Sequence, residues 1–201
     1  MIAALFVLED GPYNIPGIDL WGITRDARKY NGPHRVIAHP PCERWGRYWF
    51  GGPSVKVRRI LGDDNGCFES ALKSVELYGG VLEHPEASHA FKRYGLAKPP
   101  KSGGWIPSRK GWVCCIEQGH YGHPARKATW LYVVSSTKPK ELKWGSSGQR
   151  LRLDYGYHSA EERKRAIKTG RCQRLSKRQR TITPEPFRDL LIELVKGERD
   201  E

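Results

Sequence analysis

Short apolar runs set off by glycine- and proline-marked turns, with a helical stretch among them, limit the folds open to this chain. IAALFVL (2–8), GIDLWGI (17–23), RVIAH (35–39) and VLEHPEAS (81–88) each have the length of a strand. WVCCIEQ (112–118) and TWLYVVS (129–135) are two more, and the second is nearly continuous apolar, as a central strand is. Between the third and fourth runs, GCFESALKSVELYGG sets Phe68, Leu72, Val75 and Leu77 or Tyr78 near helical spacing. Asp64 or Asn65 is placed to cap its start, and Gly79-Gly80 to end it. A last helix is expected in PEPFRDLLIELVKGE, with Thr183 as N-cap and Pro184 at the first helical position. Strand, loop, helix and strand in alternation predict an α/β fold, a Rossmann-like layered sheet.

The 201 residues suit one such domain over 1–136, a basic region over 137–180 and a C-terminal helix within 181–201 that packs back on it. No apolar run approaches the roughly 18 residues of a membrane span. The opening MIAALFVLED lacks a basic start and runs into an acidic pair, so it reads as a buried strand and not as a signal peptide. Five cysteines in no CxxC pairing are expected to be reduced thiols in a cytoplasmic protein. Of the vicinal Cys114-Cys115, one side chain is expected in the core.

In α/β sheets ligands bind beyond the carboxyl ends of the strands. HPPC ends one strand and EHP ends the next, which makes Cys42 and Glu83 neighbours by topology. Pro40 and Pro41 fix φ and donate no backbone hydrogen bond, so Cys42 leaves the strand in a stiffly defined direction. His39, Arg44 and Arg47 stand ready to lower its pKa if they lie close in space. A thiol beside a carboxyl group suits nucleophilic catalysis on a base. A thiolate adding at C6 of cytosine drives electron density to C5, and a carboxyl group can steady the adduct at N3. The base must first leave the duplex.

The formal net charge of +13 favours a polyanionic partner. Trp45, Tyr48, Trp49 and Phe50 follow Cys42, interleaved with Arg44 and Arg47 and followed by Arg58 and Arg59, a mixture suited to stacking on bases and contacting phosphates. The competing reading is a loop folded onto the core, since Trp45 and Trp49 lie one helical turn apart. Residues 161–180 add Arg163, Lys164, Arg165, Lys168, Arg171, Arg174, Lys177, Arg178 and Arg180, read as a basic helix and an extended arm on phosphates.

Three blocks in order carry a resemblance: HPPCERWG (39–46), LEHPEAS (82–88) and QGHYGHPARKATWLYVV (118–134). They resemble the Pro-Pro-Cys loop, the Glu-Asn-Val turn and the Gln-Arg-x-Arg strand start of DNA cytosine-5 methyltransferases. The chain would be a shortened, divergent member, its compactness fitting a phage or mobile element. The resemblance implies Cys42 as nucleophile, Glu83 at the cytosine N3 and amine, and Arg126 with Lys127 on the flipped nucleotide. It implies double-stranded DNA as partner and S-adenosylmethionine as cofactor, near Glu9, Asp10, Gly11, Asp19 or Asp26 and Pro40. The second motif departs to Glu-His-Pro, Ala125 stands for Gln, Thr129 for the last Arg, and LEDGPYNIPG has only Gly11 and Gly17 for the family's glycine-rich loop.

Two alternatives stay open: a non-catalytic DNA binder on this scaffold, or a related modification with another donor. A zinc deaminase reading, from HPE at 84–86, lacks the PCxxC partner. Asp63-Asp64-Asn65-Gly66 reads better as a helix cap than as a cation loop.

Overall fold

The computed structural model describes residues 1–51, 56–149, 151, 160–169 and 175–197. Seven strands form one mixed sheet: β1 (Ile2–Leu5), β2 (Ile18–Trp21), β3 (Arg35–Ala38), β4 (Gly80–Pro85), β5 (Ile106–Ser108), β6 (Gly111–Glu117) and β7 (Ala128–Val134). Their spatial order is β2-β1-β3-β4-β7-β6-β5. The first four run parallel. The last three add on antiparallel to β4 and to one another. This is an α/β fold, and its layering is compatible with a Rossmann-like one.

The helices follow from where the apolar residues fall. α1 (Cys67–Tyr78) buries Phe68, Ala71, Leu72 and Val75, one stripe at helical spacing. Its start is tied by Asp64, whose carboxylate accepts from the Gly66 and Phe68 amides at 3.0 and 2.8 Å. Asp64 therefore serves the capping role, although the N-cap residue itself is Gly66. Gly80 is required where β4 meets β3: a Cβ there would lie 2.0 Å from the Val36 carbonyl oxygen. α5 (Glu185–Lys196) buries Phe187, Leu190, Leu191, Leu194 and Val195. Its N-cap is Pro184, not the expected Thr183.

Strand alternation sorts the core into two halves. One face carries Val36, Ala38, Leu82, Cys115, Trp130 and Tyr132 against α1 and the short α2 (His89–Arg93). The other carries Ile37, Val81, Cys114, Leu131 and Val133 against α5. Cys114 and Cys115 are thus both buried, on opposite faces, because helices cover both sides of the sheet where the sequence reading put one thiol in the core.

In the basic region, α3 (Ala160–Thr169) exposes Arg163, Lys164, Arg165 and Lys168. α4 (Lys177–Thr181) follows behind a Ser176/Gln179 capping box and exposes Arg178. Arg171 and Arg174 lie outside the described residues. No described helix is long and apolar enough to cross a membrane.

Candidate active site

The site lies where β3 and β4 end and β7 begins. β3 pairs one residue past its last strand position, with the His39 amide donating to Leu5 O at 3.0 Å. Pro40, buried, and Pro41 then carry the chain out of the sheet. The Cys42 carbonyl accepts from the Trp45 and Gly46 amides at 3.0 and 2.8 Å, which closes a tight turn directly behind the thiol.

Trp45 anchors that turn. It is fully buried, donates from Nε1 to Asp64 at 2.7 Å and packs edge-on against Tyr94. The expectation of Trp45 as a stacking platform for bases is corrected: the indole spends both its faces and its N–H inside the protein. Tyr48 and Phe50 remain exposed, and Trp49, half-buried, meets Phe50 edge-on. Arg44 has a buried guanidinium nitrogen without a hydrogen-bond partner. Arg47 pairs with Glu86 at 3.2 Å. Arg58 is exposed and Arg59 partly so.

Glu83 is the centre of the site, its side chain 13% exposed. Oε2 lies 3.0 Å from His39 Nδ1, and Oε1 accepts from Gln118 Nε2 at 3.2 Å. Burial would push this carboxyl up, but the hydrogen bond and the electrostatic pull of His39, and after them the charge of Lys127, outweigh it and hold Glu83 below the ordinary carboxylate value. Gln118 also donates to Thr129 Oγ1 at 2.9 Å, and His39 Nε2 meets the Tyr13 hydroxyl at 2.7 Å.

Cys42 is surface-accessible, yet the protein crowds its thiol. Desolvation first and the Glu83 charge second push its pKa up, while Lys127 pulls it down. The expected help from His39, Arg44 and Arg47 is corrected. His39 is committed to Glu83 and Arg47 to Glu86, and none of the three is among the groups that shift the thiol.

Of the two basic residues before β7, the chain brings one into the site. Lys127 has a left-handed backbone (φ +44°), and its Nζ donates to Ile182 O at 3.1 Å. Burial lowers its pKa, opposed by Glu83 and Cys42, so all three groups feel one another. Arg126 is exposed and directs Nε to Gln149 O at 3.3 Å, away from this cluster.

The cofactor candidates are spread over the loop after β1 (Glu9, Asp10, Gly11), β2 itself (Asp19), the turn that follows it (Asp26) and the end of β3 (Pro40). Glu9 and Asp10 are exposed. Asp26 has both oxygens on the Arg28 guanidinium at 2.7 and 2.9 Å. Asp19 is held by Trp21 and Arg25 at 2.8 and 2.5 Å. The chain after β1 folds onto the end of β2, so that a Cβ on Gly22 would meet Val7 O at 2.7 Å. Asp19 and Asp26 are thus committed to neighbouring arginines, while Glu9 and Asp10 stay open to solvent.

His84, the first residue of the HPE triplet, faces the other side of the sheet, edge-on to Phe68 at 5.2 Å. Sequence reasoning missed Tyr13, Gln118 and Thr129 as parts of the site. Gln118 opens the third motif block and Thr129 lies within it, and their convergence follows only from the pairing of β6 with β7. No protein-family model matches the chain, and no curated protein matches it.

Proposed function

We propose that this protein modifies cytosine in nucleic acid, double-stranded DNA first among substrates, with Cys42 as the nucleophile. The observation that carries this reading is the convergence of Cys42, Glu83 and Lys127 at one strand edge, close enough for their charges to shift one another. A thiol, an ionised carboxylate and an ammonium are the three groups the chemistry asks for. Glu83 accepts from the exocyclic amine of a base turned out of the stack. Cys42, as thiolate, adds to C6, and the displaced π electrons make C5 nucleophilic. Lys127 supplies a hydrogen bond or proton to the negative charge that develops on the ring, a task eased by its lowered pKa. The exposed cations of α3, with Arg58 and Arg178, suit the flanking phosphates. The cytosine-5 methyltransferase resemblance agrees with these roles. The group added at C5 is a separate question, and no step here passes through S-adenosylmethionine.

One observation favours a second reading, a DNA binder without catalysis: the resting thiol is pushed up, not activated. Mass spectrometry of nucleosides from cells expressing wild type or Cys42→Ala separates the two. A cytidine of increased mass with wild type alone is expected, and the increment names the group transferred. Unmodified nucleosides from both, with DNA binding equal in both, would replace catalysis by binding.

A further inference from the structure

Tyr13 sits in the loop between β1 and β2, 2% exposed, and its hydroxyl touches the site only through His39. Burial and the Glu83 charge raise its pKa well above the ordinary value, opposed by Arg188 of α5, so the phenol keeps its proton. Its 2.7 Å contact with His39 Nε2 is the hydrogen bond found for this hydroxyl among the described residues. With the phenol as donor, Nε2 accepts and the ring proton sits on Nδ1, 3.0 Å from Glu83 Oε2.

The opposite oxygen is organised in the same sense. Thr129 gives its hydroxyl hydrogen to Lys127 O at 3.1 Å, so toward Gln118 it is an acceptor. The Gln118 amide is thereby fixed with Nε2 facing both Thr129 and Glu83 Oε1. Two separate hydrogen-bond networks, from different elements, thus each place a donor on one of the two oxygens of this carboxylate.

We propose that Tyr13 and His39 are positioning residues for Glu83: the phenol selects the imidazole tautomer, and the imidazole fixes the carboxylate as a hydrogen-bond acceptor aimed at an amino group of the base. This rests on the cytosine reading above and deepens it. A carboxylate whose bound donors keep it acceptor-only welcomes a 4-amino pyrimidine. It repels the 4-carbonyl oxygen of thymine or uracil, for which two acceptors would face each other unpaired. The neighbours of Glu83 are consistent with a fixed anion: His39 from β3, Lys127 from the start of β7, and neutral His84 on its own strand, with Cys42 the group that its charge restrains.

The test reads the chain of hydrogen bonds without a substrate. In nitrogen-15 spectra of the wild-type protein, His39 is expected to carry a proton on Nδ1, and Tyr13→Phe is expected to shift the Nε2 resonance as its hydrogen bond is lost. Carbon-13 titration of the side-chain carboxyls, with Glu83 assigned by its loss in Glu83→Gln, supplies the second readout. Glu83 is expected to titrate below the ordinary value in wild type and in His39→Asn, whose amide still donates. It is expected to rise in His39→Leu, where burial is opposed only by the Lys127 charge and the Gln118 hydrogen bond. A wild-type His39 with its proton on Nε2, or a Glu83 titration unmoved in His39→Leu, would overturn the proposal. The wild-type tautomer needs no variant to fold. If the spectra come out as expected and no modified nucleoside is found, the positioning chain stands and the cytosine chemistry falls. If a modified cytidine is found with Glu83 unmoved, the positioning role alone falls.

Discussion

Glu83 and His84 are consecutive on β4 and point to opposite faces of the sheet, and each is withdrawn from water. On the α5 face, Glu83 receives hydrogen bonds from His39 and Gln118 and keeps its charge. On the α1 face, His84 is fully buried against the edge of Phe68, and neither ring nitrogen has a hydrogen-bond partner of good geometry. Burial lowers its pKa to about 4, against a pull toward the charged form from Glu83 and a weaker one from the Pro41 backbone. The two residues pay the same kind of desolvation penalty and end in opposite states, because loops bring donors to one face and a helix brings hydrocarbon to the other. The site face is specified by polar convergence, the far face by packing.

If that contrast is right, the largest loss of stability comes from emptying the far face. Phe68 is fully buried and touches Trp45, His84, Phe91 and Tyr94. Phe68→Ala is expected to cost about 3–5 kcal/mol in urea unfolding. Gln118→Ala, on the site face, removes two hydrogen bonds and is expected to cost about 1–3 kcal/mol. Equal losses in the two variants would erase the distinction between a packed face and a polar one.

The next effect in size is a pH dependence to which His84 contributes most and His123, also held below its ordinary value by burial, adds in the same direction. The folded pKa of His84 is about 4, below the unfolded value of about 6.5, so the unfolded chain binds the proton more readily. The folded state therefore has its full stability above about pH 6.5, and loses it as pH falls from there toward about 4. Between pH 7 and pH 5 this group should remove about 2 kcal/mol. Glu83, held below its unfolded value, adds a loss in the same direction only at lower pH, as the carboxylate range is reached. Urea midpoints at pH 7 and pH 5 for wild type and His84→Leu check this. The variant should show a pH dependence smaller by about that amount. An unchanged dependence would mean that His84 finds a partner for its charge.

Local pattern made six of the seven strands, α1 and α5 legible, because each carries its own periodicity and end signals, while the three-residue β5 is too short to carry one. The proximity of Cys42 and Glu83 was legible too, since two parallel strands ending side by side need no side-chain detail. Three further things were not. The antiparallel half depends on which strand β7 pairs with, and a continuous apolar run fits either orientation. Trp45, among arginines, fitted a base-stacking surface or a loop folded onto the core, and its bond to Asp64, nineteen positions on, decides for the core. His39 was read as a partner for the cysteine three residues away, whereas the parallel register of β3 and β4 points it at Glu83. In each case contacts distant in sequence decided between readings that local sequence leaves equal.

The smallest effect tests the site face from within. The Glu83 charge is one of the two main causes that push the Cys42 thiol up, so Glu83→Gln should lower the thiol pKa while burial continues to hold it above its ordinary value. The amide keeps the size of the carboxyl and the neighbouring Lys127 charge. Alkylation of Cys42 by iodoacetamide at pH 8, followed on its own peptide by mass spectrometry, should then run about two- to tenfold faster, an effect of roughly 0.4–1.4 kcal/mol. His84→Leu should leave that rate unchanged, because His84 is not among the groups that move the thiol. A slower rate in Glu83→Gln would reverse the assignment. It would mean that the carboxylate takes the thiol proton as a base, so that Cys42 and Glu83 act as a nucleophile–base pair and the restraint on the resting thiol comes from burial alone.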